Sequence, residues 1–199
     1  MKTKTSNLAI AAGAVLMAAN VAQAHPGHIG HGGFGGGFGH PYSGIDHMLA
    51  MIAVGLLAVQ MGGRAVWFLP LTFVGLMIGG GLLNFAGLPV PFVEQGIMAS
   101  VLVLGLMIAM AAKMPIAIPV TLVGLFAIFH GYAHVAEMHV GMAPMNYALG
   151  FILATASLHA IGIGVGLAAR QTASGQLVRL GGAAIAACGL LLCLGLIHA

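Results

Sequence analysis

His130, His134 and Glu137 stand at i, i+4 and i+7, so on a helix they form one stripe. Two imidazoles one turn apart can share a divalent cation, and a carboxylate a turn further on can serve as another ligand or a relay. Near the last turn of a helix such a stripe also meets the negative end of the helix dipole, which favours a cation. A second group is His40, Asp46 and His47. Asp46 and His47 are adjacent and cannot share one helical face. The run Ser43-Gly44-Ile45-Asp46 reads as an irregular helix entry that turns both side chains toward one ion. Capping of a helix N-terminus is the competing role for Asp46, but it leaves His40 and His47 unexplained. His25, His28 and His31 add three imidazoles at three-residue intervals in HPGHIGH, a short His-rich tract of the kind that binds transition ions. The competing role for any one of these histidines is a hydrogen bond between packed helices.

Ligand type narrows the ion. Imidazole with carboxylate suits Ni, Co, Zn or Fe better than the hard ions Mg and Ca. Met138, Met142 and Met145 keep copper(I) open as an alternative, although methionine is also ordinary filler in apolar helices. Cys188 and Cys193 lie five residues apart, about 8 Å along a helix, which is beyond disulfide reach and reads as packing.

The elements that must hold these groups follow from composition. Of 199 residues, 60% are hydrophobic and 5% are charged, against about 25% charged in a soluble domain. Six bases and three acids cannot solvate a globule's surface, so a soluble domain, a disordered chain and a nucleic-acid binder are all excluded. Residues 1–24 read as a cleavable signal peptide: Lys2 and Lys4, a short apolar core over Leu8–Ala19, and the small-x-small site Ala22-Gln23-Ala24. Residues 25–43 read as an irregular, exposed His/Gly-rich arm. Residues 44–199 read as an all-α, polytopic membrane bundle of six transmembrane helices after signal-peptide cleavage, near 44–62, 65–86, 93–112, 115–137, 145–169 and 177–198, each about the length of a span.

Charge tests that topology. With the mature N-terminus outside, Arg64, Lys113, Arg170 and Arg179 all fall at inner loops, while Asp46, Glu94 and Glu137 fall at outer ends. This is the positive-inside pattern and predicts a multi-pass protein of the bacterial inner membrane with a periplasmic mature N-terminus. Glu94 opens the third span as either a first-turn charge or a pathway acid, His139 lies just past the fourth, and His159 is halfway through the fifth. Ionisable groups at such depth are costly and usually face a bundle interior or a pathway. Gly75/Gly79 and Gly162/Gly166 have the spacing that lets helices approach closely, within a bundle or between copies in a homo-oligomer.

The run over residues 25–56 resembles the start of the HupE/UreJ family of nickel/cobalt permeases. The carrying residues are the His-rich N-terminus and a His-Pro-x-x-Gly-x-Asp-His motif, here His40, Pro41, Gly44, Asp46 and His47. A second family motif resembles Phe129-His130-Gly131-Tyr132-Ala133-His134-Val135-Ala136-Glu137, with Val135 in place of the usual glycine. The resemblance implies secondary uptake of Ni2+ or Co2+ across the inner membrane, with His40, Asp46, His47, His130, His134 and Glu137 selecting and passing the metal. It implies transport and not catalysis, with no permanently bound cofactor, the ion being the cargo. The mechanism expected on this reading has three steps: the arm gathers an ion, the outer site strips its waters, and the ion moves inward past His159. The other readings are a copper or zinc transporter of similar architecture, a membrane metalloenzyme and a haem-binding protein.

Overall fold

The structure, a computed structural model, describes residues 33–138, 143–172 and 175–198. The expected signal peptide, His25, His28, His31 and His139 lie outside the described residues. Seven helices follow in order, with no strand among the described residues: α1 Gly33–Ser43, α2 Ile45–Met61, α3 Ala65–Phe85, α4 Val93–Met110, α5 Ala117–Ala136, α6 Pro144–Thr172 and α7 Gln176–Cys193. The five from α3 to α7 are each long and apolar enough to cross a membrane. α1 and α2 reach that length only together, as a pair bent by 82°, which makes up to six spans. Helices α2 to α7 begin and end within a few residues of the six stretches expected from the sequence.

Residues 33–43 correct the expectation of an irregular arm, because they are helical. Five glycines within that helix disfavour it by propensity, at about 1 kcal/mol each. Packing overrides the propensity. Phe34, Phe38 and Tyr42 repeat every four residues, with ring centroids 6.1 and 5.8 Å apart, and form a ridge. Gly37 is buried where a Cβ would run into the backbone carbonyl of Tyr147 on α6, and Gly150 of α6 meets the backbone of Phe34 and Phe38 in the same way. The Tyr42 hydroxyl then donates to Ser157 Oγ at 2.5 Å, tying the end of α1 to α6. Gly44 has extended dihedrals and turns the chain from α1 into α2.

α2 is the central helix, packed on α3, α4, α6 and α7, and most of its side chains are buried. Around it α3 pairs with α5, α4 with α7, and α1 with α6. Of the two glycine pairs noted in the sequence, Gly162 and Gly166 face α2, whereas Gly75 and Gly79 meet nothing of this chain within 4 Å. Charge is segregated along the bundle. Arg170 donates to the carbonyl of Val59 at the end of α2, and Arg179 to that of Ala109 at the end of α4, each a cation on the negative end of a helix. Arg64 and Lys113 follow those same two helix ends, so all four bases lie at one end of the bundle. Asp46, Glu94 and Glu137 lie at the other.

Candidate metal site

At the acidic end, the bend after α1 brings two stretches of chain onto the last turns of α5. His40 comes from α1, Asp46 and His47 from the first turn of α2, His130 and His134 from α5, and Glu137 from the residue that ends α5. The imidazoles stack into one cluster. His134 has ring centroids 4.7 Å from His40 and 4.5 Å from His47, and His47 lies 4.9 Å from His130. His40, His134 and Glu137 can each offer one ligand atom, all within 4.8 Å of one another. The cluster is graded in depth. Glu137 is half exposed, His40 partly exposed, and Asp46, His47, His134 and His130 are buried, His130 completely.

In the first turn of α2 the N-cap is Gly44, with no side-chain cap bond, and Asp46 instead turns onto its own neighbour. Its Oδ1 accepts from the free backbone N–H of His47 at 2.6 Å and also stands 2.6 Å from His47 Nδ1. In the neutral ring the nitrogen facing the carboxylate carries the proton, which puts the lone pair on His47 Nε2. A carboxylate behind a histidine in this way fixes the tautomer and raises the basicity of the ligating nitrogen. Ser100 on α4 has a comparable effect on His130. Its hydroxyl donates to Ile97 O at 2.6 Å, so the oxygen is free to accept from His130 Nε2 at 3.4 Å, which leaves Nδ1 bare. Sequence reasoning missed Ser100; the available signal was a lone hydroxyl between apolar residues midway along a span.

Six buried side-chain nitrogen and oxygen atoms lack a hydrogen-bond partner among the described residues, and all are imidazole nitrogens: His47 Nε2, His130 Nδ1, and both nitrogens of His134 and of His159. Leaving a buried polar atom unpaired costs about 1–3 kcal/mol each. Histidines kept only to bond helices together would have partners, and at His134 and His159 neither ring nitrogen has one among the described residues.

At the rim, Glu137 Oε2 accepts from His40 Nε2 at 2.9 Å. That hydrogen bond is the largest influence on the carboxyl and holds it below its ordinary value of 4.5, against the opposing effect of partial burial. Glu137 is therefore ionised, and available to a cation, to lower pH than a free glutamate. The sequence has only two glutamates, Glu94 and Glu137, so carbon-13 NMR of labelled glutamate separates them. Glu137 is expected to titrate below 4.5 in the intact chain and to move up when His40→Ala removes the donor. No upward movement in that variant would disprove the pairing.

Two further candidate residues lie apart from the cluster. Glu94 is exposed in the first turn of α4 and is not among the residues the structure brings into the cluster. His159 is buried and lies deeper, its ring 5.1 Å from Phe73, which in turn lies 5.4 Å from His130. Val135, in place of the glycine of the resembled motif, packs into the space beside Gly81 of α3 and displaces none of the cluster.

Comparison with known proteins places the whole of this arrangement in context. A family model described as HupE / UreJ protein matches residues 13–192. The chain is 41% identical over 183 residues to Protein HupE of Rhizobium leguminosarum bv. viciae, covering 92% of this chain and 95% of that protein. No solved structure matches the chain significantly.

Proposed function

The chain belongs to the HupE/UreJ family, a transporter family associated with nickel and cobalt, and from that premise we propose that it is a permease for Ni2+ or Co2+ uptake across the bacterial inner membrane, working through the imidazole cluster at its acidic end. The observation that carries this reading is the set of partnerless imidazole nitrogens buried beside two carboxylates. Lone pairs left bare at a cost to stability are what a borderline divalent cation requires, and the hard ions Mg and Ca prefer oxygen.

The geometry supports an order of events. Glu137 and His40, at the exposed rim, meet a hydrated ion first. His134 and His47 replace its waters, with Asp46 holding His47 in the ligating tautomer. His130 lies one turn deeper, about 6 Å on, and draws the ion inward. With the acidic end outside, a divalent ion gains about 4.6 kcal/mol per 100 mV on passing to a negative interior, twice the single-charge value. That gain drives uptake without nucleotide hydrolysis. The N-terminal tract His25, His28 and His31, together with His139, serves recruitment in this scheme, and Glu94 contributes only to the approach of the ion.

Purified protein in liposomes with an inside-negative potential is expected to accumulate radiolabelled nickel. Excess unlabelled cobalt should reduce that accumulation, while magnesium and calcium should leave it unchanged. Accumulation no greater than in protein-free liposomes would overturn the reading. Competition by zinc or copper far stronger than by cobalt would move it to the alternative cargo.

A further inference from the structure

Two of the six partnerless nitrogens do not belong to the rim cluster. Both are on His159, 2% exposed and midway along α6. Thr155 lies one turn nearer the acidic end on the same face of α6 and is completely buried. Its hydroxyl donates to the sulfur of Met77 on α3 at 3.7 Å. Phe73, one turn from Met77 on α3, stands edge-on to His159 and also contacts His130. The antiparallel faces Phe73/Met77 and Thr155/His159 therefore set a thioether, a hydroxyl and an imidazole on facing helices, with the ring of Phe73 in contact with both His159 and His130 of the rim cluster.

We propose that His159, with the Thr155 hydroxyl and the Met77 thioether, forms a second cation station that receives a borderline divalent ion from the rim cluster and releases it toward the basic end of the bundle. The inference rests on the transport reading above and deepens it. No described residue hydrogen-bonds either imidazole nitrogen of His159, so tying helices together does not account for it at that depth. Imidazole, thioether and hydroxyl are all neutral donors. The imidazole suits a nickel-like or cobalt-like ion, and the thioether gives little to a hard one. Without a carboxylate they hold it less tightly than the rim, where Asp46 and Glu137 stand. Conduction needs that order: a site favourable enough to enter and weak enough to leave. The ring of Phe73 keeps the two stations distinct, so an ion crosses by exchanging one imidazole set for another.

The test uses the full-length protein, with Co2+ as a spectroscopic probe and 63Ni uptake in liposomes as a second readout. His159→Phe keeps an aromatic ring of similar shape and cannot ligate; His159→Ala gives an independent variant. Both are expected to bind one fewer cobalt per chain than the parent, to retain the tight rim-site spectrum, and to lower the rate of nickel uptake by about tenfold or more, the scale of effect of losing a metal-supporting group. Met77→Leu is expected to keep the cobalt count and weaken the looser class. Equal cobalt stoichiometry in the parent and either folded His159 variant would overturn the proposal, as would uptake at the parental rate. Binding and transport fail separately. If the parent moves no nickel, the transport reading is lost, while cobalt counts still decide whether His159 holds an ion.

Discussion

His134→Leu is expected to abolish nickel and cobalt uptake while leaving the protein as stable as the parent or more so. His134 stands where the rim and the buried part of the cluster meet, with the rings of His40 and His47 both beside it and Phe151 of α6 3.7 Å away by centroid. Removing it takes away the ligand nearest the rim pair Glu137 and His40 and leaves only His47, 6.2 Å from His40 by ring centroid, to receive an ion from them. Loss of a whole ligand should exceed the roughly 10–100-fold that follows loss of an outer-shell partner, so uptake should fall to the level of protein-free liposomes. The stability side of the result separates function from structure. Neither nitrogen of His134 has a partner, so the substitution breaks no hydrogen bond and removes two unsatisfied atoms, each costing about 1–3 kcal/mol. Leucine fills much of the space beside Phe151. A residue kept for an ion at the expense of the fold should behave in this way. Thermal unfolding in detergent, measured beside uptake, checks both halves. A strongly destabilised variant would make His134 a structural residue, and a stable variant with parental uptake would remove it from the path.

The same contrast explains what could be read in the sequence. The six apolar stretches are legible because a span needs about 20 apolar residues whatever it packs against, and charge sorted itself around them: Arg170 and Arg179 cap the helix ends at the basic end as the topology required. The stripe His130, His134 and Glu137 is legible because helical spacing alone places it on one face. The arrangement of His40 is not. Its approach to His134 depends on α1 being a helix, and local propensity argued against a helix through Gly33, Gly35, Gly36, Gly37 and Gly39. The signal present was the four-residue spacing of Phe34, Phe38 and Tyr42, easily lost among glycines whose lack of a side chain is itself what lets α1 lie on α6. The tautomer of His47 is likewise invisible in sequence, since it follows from where a single carboxylate oxygen falls. Glu94 shows the converse. Its position at an acidic span end suggested a pathway role, but being at the same end is a weaker condition than facing the same cavity.

Close helix approach also yields the second large effect, at a residue with no polar chemistry at all. Gly131 lies between His130 and the turn that carries His134, where a Cβ would run into the backbone carbonyl of Met77 on α3. Backbone cannot move aside as a side-chain end can, so Gly131→Ala must push α5 off α3. Overpacking of this kind costs about 1–3 kcal/mol, and it outweighs the roughly 1 kcal/mol that alanine gains over glycine inside a helix. The displacement falls where it does most harm. His130 and His134 ride on α5, while Phe73 and Met77 ride on α3, so separating the two helices changes the relation of the rim cluster to the deeper His159. Gly131→Ala should therefore lower both the unfolding temperature and nickel uptake. Gly164→Ala is the matched control, because the Cβ there meets nothing within 4 Å on α6; it should keep uptake and hold or raise the unfolding temperature. If the two substitutions behave alike, the approach of α3 and α5 is not what sets the spacing of the imidazoles.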